Sequence, residues 1–100
     1  GLVFRNSVDC TLTGLHITNV WRSPAGLQIA NVDRFSITNC TILDCDAGGL
    51  LLENARNSRV SDCLIRDDRA ESAGFSIHVV GGEGNQIVDN LLGTPISQID

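Results

Sequence analysis

The 100-residue sequence contains no lysine, and all seven of its basic residues are arginines. The absence of lysine excludes Schiff-base chemistry and phosphate binding of the Walker type, because both require a lysine amine. The basic residues are also outnumbered by 12 acidic ones, which gives a formal net charge of -5. A chain of this charge is poorly suited to a phosphate backbone, so we expect no nucleic-acid partner.

Long apolar runs and metal-binding cysteine spacings are missing as well. Hydrophobic residues make up 42% of the chain, but the longest apolar runs are far too short to cross a bilayer, so we expect no membrane segment. The four cysteines, Cys10, Cys40, Cys45 and Cys63, form no CxxC pair and no Cys/His spacing suited to zinc. The sequence opens at Gly1 without a Met or a visible signal peptide, and a piece of a longer chain fits that start.

What the sequence does contain is a repeat. Four similar segments, Gly1-Leu-Val-Phe, Gly26-Leu-Gln-Ile, Gly49-Leu-Leu-Leu and Gly74-Phe-Ser-Ile, are spaced 25, 23 and 25 residues apart. A period of this length is typical of a solenoid, whose units cannot bury their apolar faces alone and must stack on one another. We therefore predict one domain over residues 1–100, with rungs starting near residues 1, 26, 49 and 74.

Each unit contains three short runs in which apolar and polar residues alternate, as expected of strands with one buried face. In the second unit these runs are 27–30, 34–38 and 40–44. The predicted interior residues are Leu2, Phe4, Cys10, Leu12, Leu15 and Ile17 in the first unit, Leu27, Ile29, Phe35, Ile37, Cys40 and Ile42 in the second, Leu50, Leu52, Ser58, Val60, Cys63 and Ile65 in the third, and Phe75, Ile77, Ile87 and Leu92 in the fourth. Cys40 and Cys63 occupy equivalent positions, and we expect both to be buried thiols.

Turn-forming residues recur between these runs. Asn and Asp tolerate a left-handed backbone, and they recur with glycine at two places in the repeat. The first run is followed by Asn6, Asn31 and Asn54, and the second and third runs are separated by Gly14, Asn39, Asp62 and Asp89. The connection after the third run varies in length, and the segment 81–84 is interpreted as an insertion within the fourth unit.

Segments of the form Gly-Leu-x-Ile-x-Asn, followed by Ser-Ile-Thr-Asn-Cys-Thr-Ile, resemble the right-handed parallel β-helix of pectate lyases, polygalacturonases, alginate epimerases and phage tailspikes. The resemblance covers the whole chain. It implies an all-β fold, a right-handed single-stranded parallel β-helix of about four rungs, with a variable loop beside a substrate groove. It also implies a bacterial polysaccharide-processing or surface protein that is secreted, periplasmic or on the cell surface.

A leucine-rich repeat is the alternative solenoid, because Ile37-x-x-Cys40-x-Ile42-x-x-Cys45 fits its spacing. That fold would usually require a helix or a similar turn between Gly26 and Thr38. The segment 31–37 instead begins with turn formers and alternates like a strand. The sequence thus favours the β-helix.

The outward positions of the first run suggest a candidate site. They form two predicted columns, Arg5, Ala30, Glu53 and His78 in one, and Val3, Gln28, Leu51 and Ser76 in the other. With rungs about 4.8 Å apart, Glu53 and His78 would be neighbours, close enough to exchange protons with a bound sugar. They are the candidate catalytic residues. The candidate substrate-binding residues on this face and at its rim are Trp21, Gln28, Asp46 and Asp68.

The loops after the third run carry a second candidate group, Asp44, Asp46, Asp67 and Asp68. Paired carboxylates can hold Ca²⁺ or divide acid and base work across a glycosidic bond, so Ca²⁺ is kept open while no other cofactor or metal is expected. The Asp67-Asp68 pair faintly resembles that of polygalacturonases, but the Gly-His-Gly and Arg-x-Lys motifs of that family are absent. Alternating Arg and Asp over 66–69 also fits a self-neutralising loop.

Three functions remain open on these grounds. The first is a carbohydrate-associated β-helix module without a complete active site, with a polysaccharide as its partner. The second is a catalytic fragment of a polysaccharide lyase, epimerase or glycoside hydrolase, and the third is a structural stacking module. Because a short solenoid exposes strand edges, we expect either self-association through the first rung or a longer parent chain, and we expect the segment 94–100 to fold over the other end.

Overall fold

The computed structural model describes residues 1–21, 24–69 and 74–99. These ranges contain strands and turns but no helix, and so none that could cross a membrane. The strands are β1 (Leu2–Arg5), β2 (Val8–Thr13), β3 (His16–Thr18), β4 (Leu27–Thr38), β5 (Thr41–Leu43), β6 (Gly48–Arg56), β7 (Arg59–Ser61), β8 (Leu64–Arg66), β9 (Phe75–Val80), β10 (Gln86–Val88), β11 (Leu91–Leu92) and β12 (Ser97–Ile99).

The strands pair in parallel and stack into three faces. The first face contains β1, the start of β4, β6, β9 and β12. The second contains β2, the end of β4, β7 and β10, and the third contains β3, β5, β8 and β11. The chain is therefore a parallel β-solenoid of about four rungs, and β12 adds one strand beyond them. This confirms the all-β solenoid predicted from the repeat.

The register shows where the repeats differ in length. Leu2 pairs with Leu27, Leu27 with Leu50 and Leu50 with Ile77, so successive repeats are 25, 23 and 27 residues long. The same three offsets recur on the second and third faces. All of the variation therefore lies in the connection from the third strand to the next first strand, as predicted.

The fourth rung is displaced by two residues from the alignment that the sequence suggested. Ser76, and not Gly74, lies level with Gly49, because Leu50 pairs with Ile77. The predicted alignment would have placed Val79 level with Asn54, whose φ is 49°. A β-branched residue strongly disfavours that left-handed backbone, whereas Gly81, with φ of 67°, accepts it.

The shift has two consequences for the predicted interior. Phe75 was expected inside but is 47% exposed, and Val79 is buried in its stead. The segment 81–84 is also not an insertion, because the 27-residue offset is already present at Ile77 and is unchanged at Gln86. The extra residues precede β9.

Most of the predicted interior residues do form the core. In the second and third rungs all of them are buried, and Ile17 and Ile77 join them from the first and fourth rungs. Residues packed less completely against this core are Phe4, Cys10, Leu12, Leu15, Ile87 and Leu92. Leu2 lies at the edge of the first face and is 41% exposed.

The predicted turn residues have the backbone conformation that their chemistry favours. Positive φ angles occur at Asn6, Asn31, Asn54, Gly14, Asn39, Asp62 and Asp89. A second left-handed series, three residues after the first in each rung, was not predicted, and it consists of Asp9, Arg34, Asn57 and Gly84. The series was difficult to recognise in the sequence because one of its members, Arg34, is not a residue typical of turns.

The segment 94–99 does not fold over the end of the stack. Instead, β12 pairs with β9 in parallel, with Ser97 level with His78, so this part of the predicted cap continues the first face. The side chains of Asn85 and Asn90 join the fourth rung to the third. The Asn85 side chain accepts a hydrogen bond from Ser58 N and donates one to Ala55 O, and Asn90 does the same with Cys63 N and Val60 O.

Candidate functional site

The first face presents two outward columns of side chains, whose membership follows from the strand register. One column contains Val3, Gln28, Leu51, His78 and Ser97, and the other contains Arg5, Ala30, Glu53, Val80 and Ile99. Glu53 and His78 thus belong to different columns. The prediction that they are neighbours in one column is wrong, because it relied on the displaced alignment of the fourth rung.

Gln28 and Glu53 are brought together by adjacent strands of the first face. Gln28 Nε2 donates a hydrogen bond of 2.8 Å to Glu53 Oε1. Both side chains are half-buried and lie diagonally, since Gln28 is level with Leu51. The bond fixes the orientation of the amide and the carboxylate while leaving one oxygen of each side chain for other partners.

His78 makes its contacts toward the last strand and away from Glu53. Its Nδ1 lies 2.9 Å from Ser97 Oγ, and its ring stacks on Phe75 with the centroids 5.4 Å apart and the planes 15° apart. Sequence reasoning missed both partners. Phe75 was assigned to the interior, and Ser97 was assigned to a cap. The position of Gly81 in the turn series was the signal that could have corrected the alignment.

Arg69 joins the loops of three successive rungs. Its guanidinium donates to Asp67 at 2.7 and 2.9 Å and to Asp46 at 3.1 Å, and it lies over the Trp21 ring, 5.9 Å from the centroid. We call Trp21, Asp46, Asp67 and Arg69 the loop clamp. The hydrogen bonds from Arg69 lower the pKa of the Asp67 carboxyl, and the same carboxylates raise the pKa of Arg69.

Asp68, a predicted binding residue, is placed beside the clamp. Its carboxylate accepts a hydrogen bond of 2.8 Å from Arg66, and its main-chain N donates to Asp44 Oδ1 at 3.1 Å. The alternating arginines and aspartates therefore neutralise one another, as one interpretation of the sequence held. Among the residues that the structure describes, no three His, Cys, Asp or Glu side chains are grouped so as to hold a metal ion.

Two aromatic rings are exposed along the edge where these loops meet the first face. Trp21 is 68% exposed, and Phe75 is 47% exposed. Trp21 precedes the second rung and Phe75 begins the fourth, so their levels differ by two rungs, or about 10 Å along the solenoid. An aromatic ring offers an apolar surface to the C–H face of a sugar, and the adjacent Gln28 and Glu53 offer hydrogen-bonding groups.

Two hollows on the described surface were considered as ligand sites. A cavity of about 70 Å³ beside Phe75, lined in part by Gly49, Ser76 and Thr94, is smaller than an ordinary ligand pocket. A larger open hollow of about 420 Å³ lies at the corner formed by Asn31 and Asn54, whose amides bond each other at 3.3 Å. The first face is therefore an open surface, suited to an extended ligand more than to a small molecule.

The comparisons with known proteins bear on the fold. The sequence profile of the family described as "Right handed beta helix region" matches residues 1–93. No curated protein and no solved structure matches this sequence. Since the match covers nearly the whole solenoid, this chain belongs to the right-handed β-helix family.

Proposed function

We propose that this chain is a carbohydrate-binding β-helix module without a complete active site of its own, and that a polysaccharide lies along its first face. The observation that carries the proposal is the pair of exposed rings, Trp21 and Phe75, beside the hydrogen-bonded Gln28 and Glu53. The resemblance to pectate lyases and their relatives supports the same face. Such a module would serve a polysaccharide-processing or surface protein.

The spacing of these groups favours a chain of sugars over a single sugar. Trp21 and Phe75 are about 10 Å apart in level, Gln28 lies on the second rung, which Trp21 precedes, and Glu53 lies on the third rung, between the two rings. A ligand lying parallel to the solenoid axis would stack near each end and offer its hydroxyls to the polar pair in the middle. Binding along several rungs adds small contributions, which suits an open surface.

The hydrogen bonding of the acidic residues and His78 favours binding over catalysis. The Glu53 carboxylate is held by Gln28, His78 is held by Ser97, and Asp46 and Asp67 are held by Arg69. A general acid or base must reach the proton that it transfers, and each of these groups has one of its hydrogen-bonding atoms held by another side chain, which fixes its orientation. Fixed side chains of this kind are suited to orienting a ligand.

Titration with neutral and acidic oligosaccharides, followed by NMR, tests the proposal. We expect shifts at Trp21, Gln28 and Phe75, and we expect Trp21→Ala and Phe75→Ala each to weaken binding about tenfold, the equivalent of about 1.4 kcal/mol. Leu91→Ala is the matched control for Phe75→Ala, because Leu91 is also a large exposed apolar residue, 60% against 47%, but lies on the third face.

A second control separates the faces among polar side chains. Gln28→Ala should weaken binding, whereas Gln86→Ala, which removes an exposed glutamine from the second face, should not. Shifts confined to the second face, around Ser36, Thr38 and Arg59, would contradict the placement. The absence of shifts with every oligosaccharide would contradict carbohydrate binding and favour a structural module.

A further inference from the structure

The first face and the loops at its edge carry more negative than positive charge. Among the described residues of this region there are more carboxylates than arginines, namely Asp44, Asp46, Glu53, Asp67 and Asp68 against Arg5, Arg66 and Arg69. The loop residues outside the described ranges, 22–23 and 70–73, add one Arg and one Glu to the sequence and so leave this balance unchanged. The surface on which we place the ligand is therefore acidic.

Both loop arginines are already balanced by aspartates. Arg66 donates a hydrogen bond of 2.8 Å to Asp68, and Arg69 donates to Asp67 at 2.7 and 2.9 Å and to Asp46 at 3.1 Å. Hydrogen bonds between ionised groups are among the strongest in proteins, so a carboxylate of a ligand would have to compete with these aspartates for the guanidinium groups. The described part of the loops thus offers an anionic ligand no unpaired cation.

Glu53, by contrast, is paired with a neutral group, the amide of Gln28, at 2.8 Å. The arginine in its column is Arg5, which is separated from it by Ala30 and therefore lies two rungs, or about 10 Å, away. The Glu53 side chain is half-buried, and a partly buried charge is screened less by salt than an exposed one. Glu53 therefore places a negative charge without a paired arginine in the middle of the proposed ligand path.

The polar groups at the centre of the face are suited to sugar hydroxyls. Once Gln28 Nε2 has donated to Glu53 Oε1, Gln28 Oε1 and Glu53 Oε2 remain as acceptors, and a hydroxyl can donate to either. A hydrogen bond from a hydroxyl to an ionised carboxylate is also stronger than one between neutral groups. The carboxylate of a uronic acid has no proton to donate when it is ionised, and at the same position it would face the charge of Glu53.

We propose that the first face selects neutral polysaccharides over acidic ones and that Glu53 sets this preference; this proposal rests on the carbohydrate-binding function proposed above. The rings of Trp21 and Phe75 contribute affinity for either kind of sugar, because they contact C–H groups. Glu53 supplies the discrimination, since it accepts a hydrogen bond from a hydroxyl and repels a carboxylate.

Calcium does not remove this repulsion. Ca²⁺ requires several oxygen ligands, but Asp44 Oδ1 accepts from Asp68 N and Asp46 Oδ1 accepts from Arg69. Within the described ranges, no three acidic side chains are grouped so as to hold a cation. An acidic polysaccharide therefore gains no bridging ion on this surface.

Calorimetric titration with matched pairs of ligands tests the proposal. The probes are oligomers of glucose and of galactose, together with the oligouronides that differ from them only by a carboxylate at C6. We expect the neutral member of a pair to bind about tenfold more tightly, because several carboxylates of the oligouronide face the acidic surface. Raising the salt concentration from about 0.05 to about 1 M should reduce this ratio, because salt screens the repulsion.

The outcomes separate this proposal from the proposed function. Oligouronides that bind as tightly as the neutral oligomers, with or without Ca²⁺, and that lose affinity with Trp21→Ala, would overturn the selectivity and leave carbohydrate binding in place. If neither neutral nor acidic oligomers bind, both proposals are overturned.

A pair of charge-removing variants tests the role of Glu53. Glu53→Gln keeps the size of the side chain and removes its charge, so it should strengthen oligouronide binding about threefold and reduce the preference for the neutral ligand accordingly. Asp62→Asn is the matched control, because it removes one negative charge at an exposed corner between the second and third faces, where Asn also accepts the φ of 55°. It should leave the preference unchanged. Equal effects of the two variants would show that the net charge of the protein, and not Glu53, sets the preference.

Discussion

At the first rung two interior positions hold Cys10 and Leu15, whereas at the fourth rung the equivalent positions hold Asn85 and Asn90. The first pair of residues suits continued stacking, because it lies against apolar side chains on one side only. The second pair replaces apolar packing with hydrogen bonds, because each amide bonds to one N–H and one C=O of the third rung. The difference teaches that an interior position of a β-solenoid accepts a polar side chain where the main chain of the neighbouring rung takes its hydrogen bonds, as Ser58 does by accepting from Phe35 N.

The first and fourth rungs also differ in how much stability is lost when one of these interior residues is replaced. An apolar residue at the first rung is already partly in water, so replacing it removes only part of a buried contact. An asparagine at the fourth rung satisfies two main-chain groups, and removing it leaves both without partners. We therefore expect Asn85 and Asn90 to contribute substantially to the free energy of unfolding, although both are polar.

The largest expected effect separates the middle of the stack from its open end. Ile37 and Leu12 are adjacent residues of one interior column, but only Ile37 is fully buried. Ile37→Asp should unfold the chain, since a buried unpaired carboxylate and a lost aliphatic contact cost several kcal/mol. The total free energy of unfolding of a typical protein is only about 5 to 15 kcal/mol. Leu12→Asp should remain folded with a lower melting temperature. Circular dichroism and thermal melting measure both, and a stable Ile37→Asp would refute the interior assignment.

A smaller effect is expected from removing the asparagines that bond the fourth rung to the third. Asn85→Ala and Asn90→Ala should each lower the free energy of unfolding by about 1–3 kcal/mol, because two main-chain groups lose their partners. Gln86→Ala, at an exposed neighbour, is the control and should be nearly neutral. Urea denaturation gives the values. If the asparagine variants matched the control, the contribution of these hydrogen bonds to stability would be contradicted.

Acid should act on two aspartates that are paired with arginine, Asp67 and Asp9, but unequally. Arg69 lowers the pKa of Asp67, and Arg34 lowers that of Asp9, from the ordinary value of 3.8. Because the folded state favours the ionised form, this stabilisation is present above that value and is lost as the pH falls through the lower pKa of the folded protein.

The Asp67 side chain is 13% exposed and that of Asp9 is 63% exposed, so solvent weakens the second pair more. Asp67→Asn should reduce the loss of stability between pH 5 and pH 2, and this effect should be smaller than that of the asparagine variants at neutral pH. Asp9→Asn should reduce the acid-induced loss of stability least. Melting temperatures across this range provide the measurement. An equal response of the two variants would contradict the difference in shielding.

The smallest expected effect is a difference in the reactivity of the cysteine thiols, which is measured without changing stability. Cys10, at the open rung, should react with a thiol reagent in the native protein, whereas Cys40, Cys45 and Cys63 should react only after denaturation. Burial also raises the pKa of the Cys63 thiol, which keeps it in the unreactive protonated form. Rapid native modification of Cys40 and Cys63 would contradict their interior positions.

The candidate site shows where prediction from the sequence succeeded and where it failed. Gln28 and Glu53 were predicted on one outward face, and they are hydrogen-bonded there. His78 was predicted beside Glu53 and lies in the other column, with Phe75 and Ser97 as its partners. Arg69 was seen only as part of a charged loop, because nothing local to the sequence shows that it reaches Trp21 and Asp46.

The sequence by itself determined the solenoid, the three strands of each rung and most of the interior. Alternating residues can bury only one side of a strand, and Asn, Asp and Gly favour the left-handed corners, so these features are local. Only the tertiary structure decided the register of the fourth rung, the hydrogen bonds of Asn85 and Asn90 and the contacts of Arg69. Those features depend on which residues of a neighbouring rung, about 4.8 Å away, lie beside each other. The variable loop before β9 changes the repeat length, so the sequence alone did not reveal this pairing.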